Sequence, residues 1–173
     1  MFTKRVCCAV LPLLLLLSPI SVTQAAGLTG YDSIDSSANK NGNKKEYLKI
    51  GGVANVRFVD SDHAIASASG TFSSLTATVT NRTPSQDGTT IVDMTHTFLM
   101  EDGGLIVTED KILLVPVPGR SGVFSISVDY LIVSAAGGLE GYEGQRFVSQ
   151  GFIDGNNSIA SVRYDGEIVR HRK

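Results

Sequence analysis

The sequence has no excess of positive charge: 15 lysines and arginines stand against 17 aspartates and glutamates over 173 residues. A chain without a basic field has little to hold a nucleic-acid backbone, so binding to nucleic acid is disfavoured. Tryptophan is absent and proline occurs five times, whereas glycine occurs 18 times. This glycine content, together with frequent serine, threonine and valine, is typical of short strands joined by tight turns.

No long hydrophobic run is present beyond one N-terminal stretch, residues 6–17, which follows two basic residues. The stretch has about twelve residues where a membrane-spanning helix needs about 20. Small residues follow it, so we predict a secretory signal peptide over residues 1–25 that is cleaved near Ala25. A retained membrane anchor is the alternative. The expected location is secreted or periplasmic, without stable membrane insertion.

Cysteine occurs only twice, as Cys7 and Cys8, and both lie inside the predicted signal peptide. The mature chain would therefore have no disulfide, no thiolate metal ligand and no cysteine nucleophile. Residues 26–47 are mostly glycine, aspartate, serine, asparagine and lysine, which predicts a flexible polar leader. We expect one β-barrel domain over residues 48–170.

Alternation of apolar and polar residues dominates the rest of the chain and is clearest over residues 89–100. One face of this predicted strand carries Val92, Met94, His96 and Phe98. The same alternation recurs over residues 123–133, where Phe124, Val128 and Tyr130 share a face. Each of these faces is expected to point into a core.

Further strands are predicted over residues 53–60, 105–115, 146–154 and 158–169, and over a long run, 64–80, bent near Gly70. No helical periodicity persists for ten residues. The count is seven or eight antiparallel strands, which favours an all-β fold that is either a sandwich or a closed barrel.

Several short segments carry a resemblance to a known family. They are Thr95–Phe98, Thr108–Asp110, Pro116–Gly119, Tyr130–Gly141, Gly144 and Ser161–Gly166. In this order the segments resemble the allene-oxide-cyclase-like barrel superfamily, which includes bacterial members and the plant dirigent proteins. The resemblance covers roughly residues 50–169.

The resemblance implies a single eight-stranded antiparallel, calycin-like barrel whose apolar interior holds a small hydrophobic molecule. It also implies a possible homo-oligomer formed through the sides of the barrel, with which the aliphatic residues Val123, Leu131 and Val133 are consistent. The carboxylate and polar cluster that the plant cyclases carry near their first strand have no counterpart over residues 53–60.

Three residues are candidates for acid/base chemistry. His96 is the one ionisable residue on its apolar face, and Tyr130 shares the apolar face of its own strand. Each could instead fill the core with its polar atom satisfied. Within the adjacent pair Glu109 and Asp110 at least one side chain must point inward or lie at the mouth of the barrel, and we take Glu109 as the acid candidate; the alternative is a solvated pair with Lys111.

Residues 60–63, Asp-Ser-Asp-His, contain two carboxylates and an imidazole, but this is also ordinary turn chemistry, so no metal site and no cofactor are predicted. The function expected from the sequence is binding of a small hydrophobic molecule inside the barrel by Met94, Phe98, Phe124, Val128 and Tyr130. The alternatives are a cofactor-free cyclase or isomerase acting on a hydrophobic substrate, and a non-catalytic envelope interaction module.

Overall fold

The computed structural model describes residues 45–170, in which all regular secondary structure is β-strand. The strands are β1 (Glu46–Phe58), β2 (His63–Gly70), β3 (Ser74–Pro84), β4 (Thr90–Leu99), β5 (Leu105–Pro116), β6 (Val123–Ala136), β7 (Arg146–Asp154) and β8 (Ile159–Arg170). Each strand pairs antiparallel with the next, and β8 pairs with β1. The sheet is thus a closed eight-stranded antiparallel barrel, which confirms the predicted fold class. Among these residues, no helix long and apolar enough to cross a membrane is found.

Most predicted strand boundaries lie within a few residues of the observed ones, and β7 has the predicted bounds. Two differences occur near the start of the domain. β1 begins at Glu46 rather than at residue 53, so the last two residues of the predicted leader belong to the barrel. The predicted signal peptide and the leader up to residue 44 lie outside the described residues.

The predicted bent strand over residues 64–80 is two strands, β2 and β3, separated by a turn at residues 71–73. Gly70 has a φ of 101°, and a Cβ atom there would lie 2.1 Å from the carbonyl oxygen of Gly51. The chain therefore reverses at a position that only glycine fits. The reversal carries Phe72 into the interior, where it is 1% exposed.

The predicted inward faces of β4 and β6 are confirmed. On β4, Val92, Met94, His96 and Phe98 are buried, while Ile91 on the opposite face is exposed. On β6 the buried residues include Ile126, Val128, Tyr130 and Ile132. The barrel interior is therefore the hydrophobic core of the domain.

The two ends of the barrel differ. One end, which we call the closed end, carries the turns at residues 71–73 and 100–104 and the loop at residues 137–145. Leu139 and Tyr142 of this loop are 6% and 3% exposed. The guanidinium of Arg170 lies 5.1 Å from the centre of the Tyr142 ring, a cation–π contact that holds the loop against the end of β8.

The opposite end, the open end, carries the turns at residues 59–62, 85–89, 117–122 and 155–158. Inward-facing side chains near it are only partly buried, among them Phe58, Val79, Leu114, Phe124 and Ile153. Solvent therefore reaches apolar side chains at the open end, whereas Leu139 and Tyr142 cover the closed end.

Close approach of strands to one another and to aromatic rings requires glycine on the side of the barrel formed by β7 and β8. A Cβ atom at Gly166 would lie 2.7 Å from the Cβ of Phe147, and one at Gly151 would lie 2.0 Å from the carbonyl oxygen of Ser161. Any larger residue would displace the neighbouring strand or ring. Gly151 thus lets β7 and β8 approach closely, and Gly166 leaves room for Phe147.

Candidate functional site

Aromatic rings fill the middle of the barrel. The cluster consists of Phe72, Phe98, Tyr130, Phe147 and Tyr164. Phe98 makes ring contacts with three of the others at centroid distances of 4.7 to 5.5 Å, and Tyr130 stacks on Phe147 at 4.5 Å. Such tilted, edge-on and offset contacts are the favoured geometries of aromatic pairs. We call this group the aromatic cluster.

A buried hydrogen-bonded pair, His96 and Asp110, lies against the aromatic cluster. His96 on β4 and Asp110 on β5 are diagonal neighbours, since His96 is opposite Thr108 and Asp110 is opposite Met94. The His96 Nδ1 atom lies 2.5 Å from the Asp110 Oδ2 atom, and the two side chains are 9% and 0% exposed. A carboxylate only accepts hydrogen bonds, so Nδ1–H donates and the carboxylate orients the imidazole.

Two buried oxygen atoms, one of them in this pair, have no hydrogen-bond partner among the described residues. Of the three buried side-chain atoms without a hydrogen-bond partner in residues 45–170, two are Asp110 Oδ1 and Thr108 Oγ1. Both belong to inward positions of β5, two residues apart on one face, and Thr108 is 0% exposed. Buried polar atoms are nearly always satisfied by protein or by a bound molecule, so these two mark a place for an additional hydrogen-bond donor.

Tyr130 and Ser149 form a second polar contact inside the barrel. The Tyr130 Oη atom lies 2.9 Å from Ser149 Oγ, and Ser149 is 1% exposed. Burial, which disfavours the phenolate, is the main cause that raises the pKa of Tyr130 above its ordinary value of 10.0. The Tyr130 ring also meets the His96 ring edge-on at 5.4 Å. The phenol is therefore a neutral hydroxyl beside the imidazole.

The residues predicted to bind a ligand all face the interior. Met94, Phe98, Val128 and Tyr130 are buried, with exposures between 1% and 8%. Phe124 is partly buried and lies at the start of β6, next to the open end. His96 and Tyr130, two of the three acid/base candidates, are in ring contact. The structure thus brings these candidates together in the apolar interior of the barrel.

Glu109, the third candidate, lies elsewhere. It is exposed on the outer face of β5, in a groove of about 330 Å³. Neighbouring residues on a strand point to opposite faces, so its neighbour Asp110 is the one directed inward. This corrects the choice of Glu109 as the interior acid. Lys111 does not pair with Glu109 either, because its Nζ atom lies 3.2 Å from Asp93 Oδ1.

Residues 60–62 belong to the β1–β2 turn, and His63 is the first residue of β2. The Asp60 carboxylate accepts hydrogen bonds from the backbone amides of Asp62 and His63 and from the His63 ring, and the first of these is the main cause that lowers the pKa of Asp60. The Asp62 carboxylate pairs with Arg82 at 2.7 Å. Within residues 45–170 no group of three or more side chains is placed to hold a metal ion.

Sequence reasoning did not identify Thr108, Asp110 and Ser149 as site residues. The sequence does contain an indication for Thr108 and Asp110. They alternate with Ile106 and Ile112 on one face of β5, and an aliphatic face is expected to point inward. The opposite face of the same strand alternates in the same way, with Glu109 and Lys111 between aliphatic residues. The pattern alone therefore does not reveal which carboxylate is inside.

Comparison of the chain with protein-family models, with curated proteins and with solved structures found no match. The fold and the interior cluster are therefore the observations from which a function is inferred.

Proposed function

We propose that this protein binds one small, mainly apolar molecule inside the barrel, and that this molecule carries a hydrogen-bond donor. The observation that carries the proposal is the pair of buried, unpartnered oxygens, Asp110 Oδ1 and Thr108 Oγ1, in a mainly apolar barrel interior. A carboxylate oxygen accepts but does not donate, so the complementary group is a hydroxyl or an amine. Leaving such oxygens without a partner costs about 1–3 kcal/mol each, which a suitable ligand would recover.

The open end supports this proposal as a route of entry. Side chains that face inward there are apolar and partly accessible, whereas the closed end is sealed by the 137–145 loop. Val79 is opposite Met94, and Met94 is opposite Asp110, so one row of inward positions links the partly accessible Val79 to the polar atoms of β5. Apolar walls with a few polar atoms are typical of small-molecule sites.

A fluorescent probe of matching chemistry tests the proposal. N-phenyl-1-naphthylamine is neutral, aromatic and carries one N–H donor. We expect the purified wild-type protein to bind it with one-to-one stoichiometry. Thr108→Val keeps the shape of the side chain but removes the hydroxyl, so it should weaken binding about fivefold to tenfold, the equivalent of one hydrogen bond.

The matched control is Thr97→Val, at an outward position of β4. It should leave the affinity for the probe unchanged. Absence of probe binding by folded wild-type protein, or equal affinities of wild type and Thr108→Val, would overturn the proposal. In either case a buried water molecule is the partner of Thr108 and Asp110, since water satisfies such atoms in many interiors.

The His96–Asp110 pair favours a second candidate function, a cofactor-free cyclase or isomerase acting on a hydrophobic substrate. An imidazole oriented by a carboxylate and placed beside a neutral phenol is an arrangement that moves protons on a bound substrate. In this proposal His96 exchanges the proton and Tyr130 donates a hydrogen bond. Activity would then be lost in His96→Gln while binding of the naphthylamine probe persisted.

Three related expectations stay proposals. The resemblance to the allene-oxide-cyclase-like superfamily agrees with the closed eight-stranded barrel. The proposal of export rests on residues 1–25 alone. It is tested by the mass of the protein recovered from its native compartment, which should lack these residues. Homo-oligomerisation, or service as an interaction module, agrees with the exposed aliphatic residues on the outer face, such as Leu113 and Val133.

A further inference from the structure

A groove lies on the outer surface of the barrel, near its open end. This groove has a volume of about 540 Å³ and crosses the ends of β1, β7 and β8 and the β5–β6 turn. Its lining residues with outward-facing or turn positions are Asn55, Arg57, Arg120, Val123, Phe152, Asp154, Ile159 and Ser161. Val56, Ile153 and Ala160, which alternate with them at inward positions of the same strands, complete the lining. We call it the arginine groove.

Apolar side chains form the floor of the arginine groove. Phe152 and Ile159 are 61% and 45% exposed, which is high for large apolar residues. Phe152 lies opposite Ser161 across the β7–β8 ladder, and Ile159 lies between Asp154 and Arg57. The floor is therefore an aromatic ring and an aliphatic chain with polar side chains beside them.

Two arginines and one carboxylate lie at the groove, so positive charge exceeds negative charge there. In the described part of the chain neither Arg57 nor Arg120 forms an ion pair, whereas Arg82, Arg146 and Arg170 each pair with a carboxylate. The only carboxylate in the groove lining is that of Asp154. Its oxygens accept hydrogen bonds from the backbone amide of Asn156 and from the Asn157 side chain, and these contacts hold the β7–β8 turn.

The turn that carries Arg120 is held in place by the neighbouring turn. The Asn156 Nδ2 group donates to the carbonyl of Ser121 at 2.8 Å, and the Gly155 amide donates to the carbonyl of Gly122 at 2.8 Å. A Cβ atom at Gly122 would lie 2.6 Å from the Asn156 side chain, so the two turns are in close contact. Arg120 therefore projects from a fixed backbone, which lowers the entropic cost of binding.

We propose that the arginine groove binds a small amphipathic carboxylate, a molecule with a flat or extended apolar body and one anionic head. The body would cover Phe152 and Ile159, and the head would accept hydrogen bonds from the guanidinium groups of Arg57 and Arg120, which suit carboxylate oxygens. A volume of about 540 Å³ is typical of small-molecule pockets. A protein partner would need roughly 800 Å² of surface on each side.

The test uses the anionic relative of the interior probe. 1-Anilinonaphthalene-8-sulfonate has the same aromatic body as the naphthylamine with an added sulfonate head. We expect the wild-type protein to bind it, and Arg57→Gln/Arg120→Gln to bind it about fivefold to tenfold more weakly, as two exposed charges would contribute. Added sodium chloride should weaken binding to wild type and have less effect on the double variant, because salt screens exposed charges.

Arg163→Gln is the matched control, since Arg163 is exposed on the outer face of β8 and is not part of the groove lining. It should bind the sulfonate as the wild type does. Amide shifts in a ¹⁵N-labelled protein should change at residues 152–161 and not at residues 94–110. Binding of the naphthylamine should be unaffected in the double variant, so this test is independent of the interior site.

Three outcomes would overturn the proposal: equal affinity of wild type and Arg57→Gln/Arg120→Gln, an equal loss in Arg163→Gln, or amide shifts confined to the interior. A fourth is self-association through this face. It would appear as a dimer in sedimentation velocity that Phe152→Ala dissociates, with no binding of the sulfonate at any protein concentration.

Discussion

The Nδ1 atom of His96 lies 2.5 Å from the Oδ2 atom of Asp110, and both side chains face the apolar interior of the barrel. Removing two polar groups from water costs free energy, and their mutual contact recovers it only while both are present. Removal of either side chain alone is therefore expected to lower the free energy of unfolding. The pair therefore contributes to the stability of the fold and also lies at the centre of the candidate site.

The first prediction is that His96→Phe lowers the free energy of unfolding by about 3 kcal/mol, because it leaves the Asp110 carboxylate buried and unpaired. The double variant His96→Phe/Asp110→Leu should recover most of this loss, since neither polar group then remains. Urea unfolding of the wild type, both single variants and the double variant measures the coupling free energy between the two positions.

The chain offers a matched control for this cycle in His63, whose Nδ1 atom lies 2.9 Å from Asp60 Oδ1. Both of these side chains are more than half exposed, so His63→Phe should change stability by less than about 0.5 kcal/mol. If His96→Phe and His63→Phe have the same small effect, the interior pair contributes nothing to folding.

The second prediction separates a satisfied buried hydroxyl from an unsatisfied one. Ser149→Ala removes a hydroxyl that bonds Tyr130 and should destabilise the protein by about 1–2 kcal/mol. Thr108→Val removes a hydroxyl without a partner and should leave the stability of the ligand-free protein unchanged or raise it. Thermal melts of both variants, after the purified protein has been stripped of bound molecules in denaturant and refolded, make the comparison.

A loss of stability in Thr108→Val as large as that in Ser149→Ala would contradict this prediction. It would show that Thr108 has a partner even in the stripped protein, and the partner would then be a buried water molecule.

Side-chain periodicity explains why much of the fold was predictable from the sequence. On β4 the polar and apolar residues differ strongly between faces, so Met94, His96 and Phe98 were assigned inward from the sequence alone. On β5 both faces mix charged and aliphatic residues, and the identity of the interior carboxylate depends on which face the register turns inward. That choice is made by pairing with β4 and β6, which involves contacts distant in sequence.

The closed end of the barrel was not predictable for a related reason. Leu139 and Tyr142 lie in a glycine-rich segment that indicates only a turn, yet both side chains are buried. Tyr142 is covered by Arg170, which is about 30 residues further along the chain, and Leu139 packs into the hydrophobic core. Phe72 is a similar case, because a turn residue became a member of the aromatic cluster. Tertiary contacts, rather than local pattern, determine these positions.

The third prediction concerns alkaline pH and Tyr130. Because burial raises the pKa of Tyr130 in the folded state above its ordinary value of 10.0, the folded protein keeps the proton at a pH where the unfolded chain releases it. The contribution of Tyr130 to stability is therefore fully present below pH 10 and is lost as the pH rises above it, by up to about 1.4 kcal/mol per pH unit. Tyr130→Phe has no such titration.

Urea unfolding of wild type and Tyr130→Phe between pH 8 and pH 11 measures this effect. At pH 8 the variant should be less stable by about 1–2 kcal/mol, because it lacks the hydrogen bond to Ser149. Above pH 10 the difference in stability between the two proteins should shrink. Parallel curves across this range would mean that the phenol ionises as readily in the folded barrel as in the unfolded chain, which a fully enclosed Tyr130 does not allow.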